Sequence, residues 1–82
     1  MTKIKNQKNK TEAEWFLNKR PSARLLFNED LGSRWHPKLG GRLVALREVN
    51  NGYDTKEEAI EAAKGFKNHC ARIMGVPDFY KL

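Results

Sequence analysis

A single cysteine, Cys70, excludes an intrachain disulfide and a thiolate cluster for structural zinc, so packing alone must hold the fold. Long apolar runs are also missing. The stretches at 15–17, 25–27, 43–46 and 71–76 fall far short of the roughly 20 residues that span a bilayer. Residues 1–10 alternate Lys with Asn and Gln and lack the apolar core of a secretory signal. A cytoplasmic setting is therefore expected, the host cytoplasm if the chain is viral. With two histidines and one cysteine, metal ligands are scarce, and adjacent His69 and Cys70 point about 100° apart on a helix, so they chelate poorly together. No metal and no cofactor is expected.

Positive charge, by contrast, is plentiful. Sixteen Lys and Arg stand against ten Asp and Glu, a net charge of +6. Lys3, Lys5, Lys8 and Lys10 have no acid among them, and residues 31–50 set Arg34, Lys38, Arg42 and Arg47 against Glu48 alone. A localised positive surface attracts polyanions over about a Debye length, roughly 8 Å at physiological salt, which favours nucleic acid or an acidic protein face as partner. Residues 1–10 read as a disordered basic arm, because Lys, Asn and Gln bury too little to offset the entropy of ordering. Residues 11–82 are expected to form one small domain around a thin core.

Thr11-Glu12-Ala13-Glu14 fits a capping box and starts a short helix that Pro21 must end, with Trp15 and Phe16 anchoring it to the core. Gly, Pro and Asn then punctuate three segments: Ala23 to Asn28, Ser33 to His36 after a turn at 28–32, and Arg42 to Val49 after a turn at Pro37 to Gly41. They read as a three-stranded antiparallel meander. The last segment lacks clean alternation and is rich in helix formers, so a helix closed by Asn50-Asn51-Gly52 is the alternative. Asp54 or Thr55 caps a long amphipathic helix from Thr55 to Met74, whose stripe is Ala59, Ala62, Ala63, Phe66, Cys70 and Ile73. Gly75 and Pro77 end it, Gly65 interrupts it at a cost of about 1 kcal/mol, and Phe79 and Tyr80 are placed to fold back. The expected fold class is α+β: a small three-stranded sheet packed on one C-terminal helix, with a short N-terminal helix.

Catalytic constellations find little support. Cys70 lies on the core stripe, where a thiol acts as a small hydrophobe. The pairs Glu29-Asp30 and Glu57-Glu58 read as turn and capping charges, and Gly40-Gly41 lacks the Gly-Lys-Ser/Thr ending of a phosphate loop. A non-enzymatic protein is expected. The constellation with chemical content is Arg24, Arg34, Trp35, His36, Lys38, Arg42 and Arg47, spread over the three expected strands and their turns. Residues two apart on a strand point the same way, so several can share the sheet face opposite the helix. There guanidinium groups can meet phosphates or guanine edges and Trp35 can stack on a base, while Lys3, Lys5, Lys8 and Lys10 add phosphate contacts. The competing reading puts Trp35 in the core and leaves the arginines as a solvated face.

Arg34-Trp35, residues 42–49 and the run from Gly52-Tyr53-Asp54-Thr55 through Glu57-Glu58-Ala59 to Ala62-Ala63 resemble AP2-type and integrase arm-binding domains. That resemblance implies a three-stranded sheet laid in a DNA major groove with a Glu-Ala-rich helix behind it, and Arg34, Trp35, Arg42 and Arg47 facing DNA. DNA is thus the expected partner ahead of RNA. The alternative function is a small protein-binding accessory or inhibitor, of the kind small viral genomes encode, docking its basic face on an acidic partner.

Overall fold

The computed structural model describes residues 11–44 and 51–82. Residues 11–17 are helical and form α1. Thr11 already lies inside that helix, so it is not the extended cap residue expected of it. The element ends at Leu17, before Pro21, and Pro21 opens the next one, since a strand's first residue needs no ladder N–H.

Strand β1 (Pro21–Asn28) pairs antiparallel with β2 (Gly32–Leu39), and β2 pairs with β3 (Arg42–Leu43), giving a three-stranded sheet in sequence order. The Asn28 carboxamide oxygen accepts from the N–H groups of Asp30 (2.8 Å) and Leu31 (3.1 Å) and so closes the first hairpin. At the second hairpin the turn is only Gly40-Gly41, because Pro37 lies within β2 rather than in the turn. Val44 N–H donates to Pro37 O at 2.9 Å. Pro37 therefore faces the β3 side with its carbonyl and lacks the N–H that would complete the pair, and the third strand stops there.

Of the eight-residue third strand expected at Arg42 to Val49, Arg42–Leu43 is paired, and the part beyond Val44 lies outside the described residues. Farther along the same edge of β2, Tyr53 stands opposite Trp35, with N–H to carbonyl bonds of 2.9 and 2.7 Å in the two directions. The edge of β2 is thus filled by two separate pieces of chain. The choice between strand and helix for 45–50 lies outside the described residues.

Helix α2 (Lys56–Met74) begins as its sequence requires. Thr55 is extended (φ −121°), its hydroxyl oxygen accepts from Glu58 N–H (3.2 Å), and the hydroxyl donates to the Glu58 carboxylate (3.0 Å). It ends at Gly75 in the left-handed region, φ 73°, where Val76 N–H returns to Ala71 O. Helix α2 packs on β1 and β2. The core is small: Ala13 and Phe16 of α1, Leu39 of β2, Val44, and Ala63 and Cys70 of α2, with Leu17, Phe66 and Met74 around them. Burial pushes the Cys70 thiol pKa up, so the group stays protonated and inert.

Two expectations about α2 need correction. Ala62 and Ile73 sit at the margin of the buried stripe, and Lys67, Asn68 and Ala71 are buried instead. The C-terminal segment explains this, because it runs back along the helix. The Asn68 side chain accepts from Phe79 N–H (2.9 Å) and Tyr80 N–H (3.0 Å) and donates to Tyr80 O (2.8 Å). Arg72 pairs with Asp78, and the Lys67 ammonium lies 4.5 Å from the Phe79 ring while donating to Lys19 O at 2.9 Å. Lys67 so fastens the segment after α1 to α2.

Gly65 faces the same returning segment, and a Cβ there would meet only Leu82 Cδ1 at 3.5 Å, an ordinary contact. Gly65→Ala is therefore expected to stabilise the fold by about 0.5–1 kcal/mol, through helix propensity alone. A rise of a few degrees in Tm by circular dichroism checks this, and a fall would mean the tail needs the closer approach.

Candidate nucleic-acid interface

Register and alternation sort the expected site residues onto two sides of the sheet. Leu39 is buried against the helices, so Trp35 and Pro37, two and four residues before it, share its side. Arg34, His36 and Lys38 point the other way. Across the ladder Ser22 faces Lys38, Arg24 faces His36 and Leu26 faces Arg34, so these residues line the open face, joined by Leu43 opposite Lys38. Diagonal neighbours on such a face lie roughly 7–8 Å apart, which makes Arg24, His36 and Lys38 one cluster.

Arg34, the third Lys or Arg of this face, is committed elsewhere. Its Nε donates to Asn51 O (3.1 Å), Nη2 to Gly52 O (3.2 Å), and Nη1 forms an ion pair with Asp54. These bonds tie the segment entering α2 to the sheet. Gly52 packs against β2 with φ +80°, and a Cβ on it would lie 2.8 Å from Trp35 O and 2.9 Å from both Arg34 Cβ and His36 Nε2. Asp54 is the carboxylate paired at this face, and Arg34 neutralises it. The side chains of Arg24, His36 and Lys38 make no hydrogen bond or ion pair with the described residues.

The expectation that Trp35 and Arg42 join that face is corrected. Trp35 is half-buried on the helix side, with the Lys56 ammonium 5.9 Å from its ring. Arg42 pairs with Leu39 across the two-residue turn and thus also lies on the helix side, where its guanidinium stands 5.1 Å from the Trp15 ring and 5.3 Å from Phe16. Trp15, expected in the core, is 39% exposed, while Phe16 beside it is 7% exposed. Arg47, Lys3, Lys5, Lys8 and Lys10 lie outside the described residues.

No protein-family model, curated protein or solved structure matches this chain. The site is therefore read from its own residues. Among the described residues no three His, Cys, Asp or Glu side chains converge as a metal centre requires, and no helix is long and apolar enough to cross a membrane. Glu57 and Glu58 sit in the first turn of α2, and Glu58 is engaged in the cap. The residues the sequence reading passed over are Trp15, Lys19 and Arg20. Trp15 and Lys19 are brought together by the turn that follows α1, where Lys19 N–H donates to Phe16 O at 3.1 Å.

Proposed function

We propose that this chain is a non-enzymatic nucleic-acid-binding protein, acting on DNA in preference to RNA, whose open sheet face meets the phosphate backbone. The observation that carries this reading is the cluster of Arg24, His36 and Lys38, drawn from two strands and without a carboxylate partner among the described residues. Arg24 and Lys38 carry charge with no carboxylate beside it, which releases condensed counterions when phosphates bind, and the His36 imidazole between them offers a further hydrogen-bonding group. The lysines of residues 1–10 add contacts of the same kind, without sequence reading. The site of action on this reading is the cytoplasm, the host's if the chain is viral.

The AP2-type resemblance bears on how such a face would be used. Of the four residues it would set against DNA, Trp35 and Arg42 lie on the helix side, Arg34 holds the 51–54 segment, and Arg47 is outside the described residues. Backbone contact through Arg24, His36 and Lys38 is thus better supported than base reading in a major groove.

Fluorescence anisotropy with labelled DNA at several salt concentrations tests the proposal. The double variant Arg24→Ala/Lys38→Ala is expected to keep the circular dichroism spectrum of the parent. It should flatten the slope of log K against log salt by about 1.8 on duplex, the value for two lost phosphate contacts. An unchanged slope would remove the sheet face from the account.

A second reading, a protein-binding accessory or inhibitor, is favoured by a different observation. Leu25, Phe27 and Leu31 are exposed together around the first hairpin, Phe27 at 76%. Apolar anchors of this size are what protein partners bury. Absence of DNA binding at low salt would leave this reading in place of the first.

A further inference from the structure

Beside the open face, around the Gly40-Gly41 turn, a second group of cations gathers on an aromatic ring. The Lys19 ammonium lies 4.4 Å from the Trp15 ring centroid and the Arg42 guanidinium 5.1 Å from it. Phe16 meets Trp15 edge-on at 5.0 Å and fixes the indole from the core side. Arg20 follows, exposed, its carbonyl accepting from Gly40 N–H at 3.3 Å, so the segment after α1 is fastened to the turn. Neither Lys19 nor Arg42 has a carboxylate partner among the described residues. Two like charges thus converge on one exposed indole with no anion between them.

We propose that Trp15, Lys19 and Arg42 form a stacking site for one unpaired base, with the adjoining phosphate held by the two cations, so that the preferred ligand is single-stranded DNA. This rests on the nucleic-acid reading above and specifies its ligand. An exposed cation is held over a ring only weakly, whereas a base stacked on an aromatic contributes about 5- to 150-fold in affinity. An entering base therefore displaces a cation from the indole with net gain, and the displaced cation is already within reach of the phosphate. Lys38 on the open face and Arg42 on the helix side flank the same turn, at neighbouring positions of β2 and β3, so a single strand can pass from one cluster to the other. A duplex, whose bases are paired and stacked, offers nothing to the indole.

The test uses the full chain carrying Trp35→Phe, in which Trp15 alone emits, titrated with a thymidine oligonucleotide and with duplex of equal length. Quenching of Trp15 by the single strand and not by the duplex is expected. In anisotropy, Trp15→Ala should weaken single-strand binding about tenfold and duplex binding less than twofold, while Trp15→Phe retains most of the affinity. If the oligonucleotide binds with unaltered Trp15 emission and Trp15→Ala binds it equally well, the stacking site is wrong while the sheet face stands. If neither strand form binds at low salt, both proposals fall. Should Trp15→Ala not fold, the emission of Trp15 in the Trp35→Phe protein decides.

Discussion

Leu39→Ala is expected to cost about 3 kcal/mol and to lower Tm by about 15 °C, the largest loss from any single truncation in this chain. Among the described residues Leu39 is the one large side chain that is wholly buried, and it belongs to the cluster to which α1, the end of β2 and α2 all contribute. The other buried members are mostly small, Ala13, Ala63 and Cys70 among them, and they cannot expand to fill the void. A chain of this length has a stability of about 4–12 kcal/mol, so the loss is a large fraction of the whole. Urea denaturation measures it through a fall in midpoint at constant m. A change below about 1 kcal/mol would show that the helices and sheet are held mainly by something other than this cluster.

Gly52→Ala is expected to be nearly as damaging, by about 2–3 kcal/mol, although the residue lies in a loop. Its φ of +80° costs a side-chain-bearing residue about 1–2 kcal/mol. The added Cβ would also press on the Trp35 carbonyl at 2.8 Å, an atom the ladder holds in place through its bond from Tyr53 N–H. Either the 51–54 segment lifts from β2 or the ladder opens, and in both cases Arg34 loses its carbonyl acceptors at Asn51 and Gly52. Hydrogen exchange distinguishes this from general destabilisation: the amides of Trp35 and Tyr53 should lose protection before those of α2. Equal protection at all these amides would contradict the role assigned to Gly52.

Helix α2 was legible because its determinants are local. Thr55 with Glu58 at one end and Gly75 at the other satisfy the free backbone groups, and Ala59, Ala63, Phe66 and Cys70 keep the helical period between them. The meander was legible for the same reason, since Asn28, Gly32 and Gly40-Gly41 mark its turns. Faces were harder. Trp35, Pro37 and Leu39 alternate with Arg34, His36 and Lys38, and that period of two already separates an apolar side from a basic one. Grouping by charge instead of by parity put Trp35 and Arg42 on the basic side. Arg42 follows from register, since a two-residue turn sets it opposite Leu39.

Three features depend on contacts that no local pattern records. Pro37 sits inside β2 because its missing N–H falls where the third strand has already ended. Asn68 is buried because the C-terminal segment returns over it. Tyr53 pairs with Trp35 because the Arg34 bonds and the Gly52 approach draw the 51–54 segment onto β2. The last is set by residues seventeen or more positions apart and the second by a segment beyond the helix end, where periodicity has no reach.

The account turns on the open face of the sheet being the surface that meets nucleic acid, and amide chemical-shift mapping addresses that directly. On adding a short DNA to isotopically labelled protein at low salt, the largest shifts are expected at Arg24, His36 and Lys38 and their strand neighbours, extending round the turn to Lys19 and Arg42. Glu57, Glu61 and Asp78, on the far side of α2, should stay in place. Shifts confined to residues 57–82, or none at any DNA concentration, would contradict it.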